Sequence, residues 1–90
     1  NNKDNMEDMG NFMYEFDNYF YRNLKKQYPS LTVNESRICV LINKNLSTKE
    51  ISEITRQSPE SINLARYRLR KKLGLTGKGT TLQDFLSNYN

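Results

Sequence analysis

The sequence predicts an all-α domain, with four short helices preceded by one longer helix that is rich in aromatic residues. Apolar residues recur at spacings of three or four between positions 9 and 24, which is the period of an amphipathic helix. Three capping sequences then follow within thirty residues, and no segment competes as a strand. The 90 residues suffice for one small hydrophobic core.

The N-terminal part divides into a tail and a helix. Residues 1–10 are expected to be a disordered polar tail, because they offer little apolar surface to offset the entropy of ordering. Residues 11–28 are expected to form the first helix, which Pro29 closes, and they hold seven of the ten aromatic residues. One interpretation is that this helix packs on the domain through Phe16, Phe20, Leu24 and Tyr28. Another adds self-association, and hence a homodimer, through Phe12, Met13 and Tyr19.

Two capping boxes mark the next two helix starts. Thr32 is followed three residues later by Glu35, and Ser47 by Glu50. Each hydroxyl can accept a hydrogen bond from the third helical amide, while the glutamate reaches back to the amide of the cap. Asn45 tolerates a positive φ and is expected to end the first of these helices where glycine commonly stands.

The third capped helix is expected over about residues 59–73. Ser58 can cap it, a proline occupies its first helical position, where a missing amide costs nothing, and Gly74 can stop it. A Gly/Thr loop follows, and a short amphipathic helix capped by Thr80 or Thr81 ends the chain. Residues 29–90 are therefore expected to form the folded domain.

Charge is distributed unevenly along the chain. The net charge is +4, but residues 1–21 hold five acids and one base, so the rest of the chain carries 13 bases and 5 acids. Such an excess favours nucleic acid or another anionic surface as a partner. From Ser61 to Leu82 no acidic residue occurs at all, so repulsion along the third capped helix is uncompensated.

The composition argues against an enzyme. The chain has no histidine and no metal-ligand spacing, and its single cysteine, Cys39, lies in an apolar run and is expected to be buried. The capping role explains Glu35 and Glu50. We therefore expect neither a metal nor another cofactor. No run approaches the ~18 apolar residues of a membrane span, and no signal peptide is evident, so a cytoplasmic protein without membrane contact is expected.

A helical wheel of the basic helix separates two faces. The inward arc holds Ile62, Ala65, Leu69 and Leu73. The opposite face holds Asn63, Leu64, Tyr67, Arg68, Arg70 and Lys71. A short helix, a tight turn and a longer outward helix form the helix-turn-helix arrangement, in which the second helix enters the major groove of DNA. Base contacts are therefore predicted at Asn63, Leu64 and Tyr67, and phosphate contacts at Arg68, Arg70, Lys71 and Lys72.

The segment "LTVNESRICVLINKNLSTKEISEI…SPESINLARYRLRKKLGL" resembles the LuxR/GerE-type DNA-binding domain of bacterial transcription regulators, in a Bacteroidetes-like branch. The resemblance implies a four-helix C-terminal output domain whose third helix reads double-stranded DNA and whose last helix often supports dimerisation. It places base contacts at the same three residues. It also implies phosphate contacts at Ser61 and at the start of the preceding helix, at Ser47, Thr48 and Lys49.

Two departures from that family pattern fall at the turn. Thr55 and Gln57 stand where leucine and isoleucine are common, so we expect either looser packing between the two helices or a larger role for Ile54. Two other functions stay open. The domain could be an adaptor that binds an acidic protein, or a sigma-factor region-4-like element that binds promoters together with RNA polymerase.

Overall fold

The computed structural model describes residues 19–89, and this part of the chain is helical without any strand. Helix α1 is described over residues 19–27. The others are α2 (Val33–Asn43), α3 (Thr48–Thr55), α4 (Pro59–Lys72) and α5 (Leu82–Ser87). The predicted all-α class is confirmed. The predicted tail, and the predicted roles of Phe12, Met13 and Phe16, lie outside the described residues.

Side-chain caps begin α2 and α3 as predicted. The Glu35 amide donates to Thr32 Oγ1 at 3.0 Å, and the Thr32 amide donates to Glu35 Oε1 at 2.9 Å. Ser47 and Glu50 repeat the arrangement at 3.1 and 2.9 Å. Each box satisfies two amides that have no partner within their helix, so short segments begin at defined residues.

The remaining two starts also use hydroxyl caps. Ser58 Oγ accepts from the Ser61 amide at 3.1 Å, one residue before the proline that opens α4. Of the two threonines before α5, Thr81 is the cap, and it accepts from the Asp84 amide at 3.0 Å. All four helix starts after α1 therefore follow from local sequence.

Three residues with positive φ follow or end the helices. Asn45 (φ 66°) follows α2 and Gly74 (φ 75°) follows α4, as predicted. At Gly74 the Leu75 amide donates to Arg70 O at 2.8 Å, the long hydrogen bond of a Schellman motif. Arg56 (φ 59°) ends α3 in the left-handed region, which no sequence signal predicted.

Within residues 19–89, one cluster of buried apolar side chains joins the helices. The inward arc predicted for α4 forms part of it, since Ile62, Ala65, Leu69 and Leu73 are all buried. Cys39 is buried as well, and burial raises the pKa of its thiol to about 12, so it stays protonated and acts as a small core residue. Helix α4 packs against α2, α3 and α5, which fixes its inward face and leaves the opposite face exposed.

Helix α1 packs on the domain beside the end of α5. Leu24 is fully buried, and next to it lies a partly buried aromatic cluster of Phe20, Tyr28, Phe85 and Tyr89. The Tyr89 hydroxyl donates to Gln27 Oε1 at 2.6 Å. Of the residues named for the packing interpretation, Phe20, Leu24 and Tyr28 lie against the core in the structure. Tyr19 is 78% exposed, and self-association through it stays a prediction.

Candidate nucleic-acid interface

The turn between α3 and α4 is held by polar contacts. The Ser52 hydroxyl donates to Gln57 O, and the Gln57 and Asn34 side-chain amides donate to each other at 2.9 and 3.2 Å. Thr55 Oγ1 donates to Ile51 O at 2.7 Å. The two residues that depart from the family pattern thus make hydrogen bonds, while Ile54 is partly buried against the core.

The predicted base-contacting residues share the exposed face of α4. Asn63 is exposed, and Leu64 and Tyr67 are 49% and 57% exposed although both are large and apolar. Asn63 and Leu64 lie in the N-terminal half of the helix, and Tyr67 lies one turn further on, four residues after Asn63 and three after Leu64, so it is beside both. A base edge or a thymine methyl group in the major groove offers contact to side chains of this kind.

Two of the predicted phosphate-contacting residues lie at the surface of the same helix. Arg68 and Lys71 are exposed, and Lys71 Nζ lies 4.6 Å from the centroid of the Tyr67 ring. This cation–π contact keeps a positive charge beside the exposed aromatic ring. Ser61 is also exposed, and its hydroxyl bonds to Ser58 Oγ at 3.0 Å within the cap of α4.

The residues predicted at the start of α3 are accessible in part. Ser47 and Lys49 are exposed and Thr48 is half-buried. The Ser47 hydroxyl already accepts a hydrogen bond from the Glu50 amide in the capping box, so this hydroxyl is engaged in capping α3. Lys49 remains the side chain of this group that can reach an external anion through its flexible stem.

Arg70 is turned towards the loop that follows α4. Its guanidinium donates to Leu75 O and Thr80 O at 2.9 Å each and to Lys78 O at 3.2 Å. The guanidinium that the sequence assigned to a phosphate therefore donates to three backbone carbonyls of the protein itself. Arg70 holds the loop between α4 and α5 in place, and the contacts give no support to a role on DNA.

Lys72 is likewise engaged within the protein. Its Nζ donates to Glu35 Oε1 at 2.7 Å and to Ser30 O at 3.0 Å. The sequence also assigned this residue to a phosphate. The ion pair joins the last residue of α4 to the first turn of α2 instead.

Arg66 lies on α4 between the inward arc and the exposed face, and no contact was predicted for it. Its side chain is half-buried, and no hydrogen-bond or ion-pair partner for it occurs among residues 19–89. Burial lowers the pKa of the guanidinium, which stays protonated at neutral pH. An unpaired, partly desolvated arginine beside an exposed basic face is suited to a phosphate. The signal was its place between the two arcs of the wheel.

Stability is expected to fall in acid because of Glu35. Burial by itself raises the pKa of this carboxyl, but hydrogen bonds from Lys72 and from the Thr32 amide outweigh burial and leave the pKa below its ordinary value. A lowered folded-state pKa means stabilisation that is present above the unfolded pKa and is lost as the pH falls through the folded one. The free energy of unfolding, measured with urea from about pH 6 to pH 3, should therefore depend less on pH in Glu35→Gln than in wild type. An equal dependence of this free energy on pH in the two proteins would contradict the prediction.

The described residues contain neither a metal-binding cluster nor a bilayer-spanning helix. Within residues 19–89, no group of three His, Cys, Asp or Glu side chains is arranged to hold a metal ion. No helix of this part is long and apolar enough to cross a membrane.

Comparison of the chain with models of known protein families, with curated proteins and with solved structures gave no match. These comparisons therefore add no support for any function.

Proposed function

We propose that the protein binds double-stranded DNA through the exposed face of α4, as the DNA-binding domain of a bacterial transcription regulator. One observation carries the proposal. Asn63, Leu64 and Tyr67 are exposed together over the middle of α4, and the exposed cations Arg68 and Lys71 follow them on a stretch without acids. The resemblance of the sequence to LuxR/GerE-type domains points the same way.

The chemistry of this face suits the major groove. An asparagine amide can bond both N6 and N7 of adenine, and an exposed leucine can contact the methyl group of thymine. Arginine and lysine on the same helix neutralise phosphates and release counterions, which supplies most of the affinity. The proposed function is binding without catalysis or a cofactor, in the cytoplasm, where a regulator meets DNA.

Fluorescence anisotropy with randomised duplex DNA at several salt concentrations tests the proposal. If Arg66, Arg68 and Lys71 each neutralise one phosphate, log K should fall with log salt at a slope of about −3. Absence of binding at low salt, together with salt-sensitive binding to an acidic protein, would favour the adaptor instead. Binding that requires RNA polymerase would favour the sigma-like element.

Asn63→Ala tests base readout. The substitution removes a side-chain amide from an exposed position and leaves every phosphate contact in place, so we expect a loss of about 1–3 kcal/mol confined to one base position. Selection of binding sites from a randomised library by wild type and variant measures this. A uniform loss over all sequences, or no loss, would argue against a base contact at Asn63.

A further inference from the structure

We propose that the first turn of α2 braces α4 near both of its ends and thereby sets the angle at which the helix meets DNA. The inference rests on the proposed function for its effect on binding, although the brace itself can be tested without DNA. Two adjacent residues form it. Asn34 contacts Gln57, just before the cap of α4, and Glu35 contacts Lys72, the last residue of α4.

The Glu35–Lys72 contact is the stronger of the two. The nitrogen and oxygen lie 2.7 Å apart, and Glu35 is only 6% exposed although the Lys72 side chain is 31% exposed, so water screens the pair from the lysine side only. The same carboxylate oxygen accepts the Thr32 amide, which ties the ion pair to the start of α2. Lys72 also donates to Ser30 O, so the end of α4 is joined to the segment between α1 and α2.

The Asn34–Gln57 contact acts at the other end. Both side-chain amides donate and accept, a geometry that holds two planes together better than a single hydrogen bond does. Gln57 is itself restrained, because its carbonyl accepts the Ser52 hydroxyl. The residue that follows it is the Ser58 cap, so a shift of Gln57 moves the start of α4.

Restraint at both ends matters because α4 is long for this domain. Fourteen residues span about 21 Å, so a small tilt displaces side chains at one end by a sizeable part of a base-pair step. Asn34, Glu35, Gln57 and Lys72 are thus positioning residues, which act on DNA through the orientation of α4. The sequence assigned only Lys72 among them to the interface, and there as a direct phosphate contact.

Residual dipolar couplings of the free protein test the brace. Glu35→Gln keeps an oxygen for the capping box and removes the charge, and Lys72→Met keeps the apolar stem. In both variants the residual dipolar couplings of α4 should change relative to those of α2, because α4 changes its orientation. The couplings of α3 and α5 should stay as they are in wild type. Asn34→Ala, at an exposed position, supplies a variant with little risk of unfolding. Unchanged α4 couplings in all three would overturn the brace.

Binding to DNA gives a test of opposite sign. Glu35→Gln removes an acid, so electrostatics alone predicts tighter binding, whereas loss of the brace predicts about tenfold weaker binding with the same salt slope. Lys72→Met should weaken binding to a similar extent, again without the change of about 1 in slope that a lost phosphate contact gives. The matched control is Glu53→Gln, an exposed acid on α3, which should tighten binding slightly.

The outcomes separate the two proposals. Tighter binding by Glu35→Gln, or a reduced slope in Lys72→Met, would overturn the brace while DNA binding stands. Altered α4 couplings in the variants, with no binding of duplex DNA even by wild type, would overturn the proposed function while the brace stands. All titrations are made at a temperature at which thermal unfolding shows each variant to be fully folded.

Discussion

Replacing Arg68 and Lys71 together by alanine is expected to weaken binding to duplex DNA by about 10- to 100-fold at low salt. Both side chains are exposed on α4 beside the proposed base-contacting residues. Each neutralised phosphate contributes through counterion release, so the slope of log K against log salt should shrink by about 2. The loss should be nearly independent of DNA sequence. Anisotropy titrations of wild type and variant over a range of salt concentrations give both quantities.

The matched control is the pair Arg22→Ala and Lys26→Ala. These residues are exposed on α1, and their removal changes the net charge by the same amount. Net charge alone acts weakly beyond a Debye length of about 8–10 Å, so this control should lose little affinity and keep its slope. Equal losses of DNA affinity in the two double variants would mean that the protein attracts DNA by its overall charge. That result would contradict an interface on α4.

Leu69→Ala is expected to destabilise the protein by about 2–5 kcal/mol. Leu69 is fully buried on the inward face of α4, where the helix packs against the rest of the core. Removing its side chain loses the transfer free energy of three carbons and leaves a cavity that neighbours only partly fill. Because small domains are stable by only about 5–15 kcal/mol, this one change removes a large share of the total. Urea unfolding measures it.

Leu64→Ala is the matched control for Leu69→Ala. It makes the same chemical change on the same helix, but at a side chain that is 49% exposed. The free energy of unfolding should change by no more than about 0.5 kcal/mol. DNA binding should weaken more than it does for a substitution at an exposed position outside the proposed interface. A large loss of stability at Leu64 would show that the residue packs in the core and does not serve the interface.

Helix starts and the two faces of α4 were predictable because both depend on neighbours in sequence. A capping box joins residues three positions apart, so Thr32 with Glu35 and Ser47 with Glu50 could be read directly from the chain. The periodicity of the helix likewise separated buried Leu69 from the exposed positions around it. Residues 11–18 of the predicted first helix are not among the described residues, and self-association through Tyr19 stays a prediction.

The partners of the cations were not predictable, because they come from residues distant in sequence or from the path of a loop. The wheel shows only the direction in which a side chain leaves α4. Lys72 meets Glu35 across 37 positions, and Arg70 bonds to carbonyls that converge only once the Gly/Thr loop has folded back. A long, flexible cation takes the nearest acceptors that the fold offers.

The sequence by itself therefore determined the all-α class, the starts of α2, α3 and α4, and an α4 with a buried apolar side and an outward side bearing Asn63, Leu64 and Tyr67. These features are local, with a range of one or two helical turns. Only the tertiary structure decided which basic side chains of α4 remain available on the surface. It left Arg68 and Lys71 exposed and Arg66 unpaired among the described residues. It directed Arg70 and Lys72 to partners within the protein, because those partners are brought near only by the packing of α2 and of the final loop against α4.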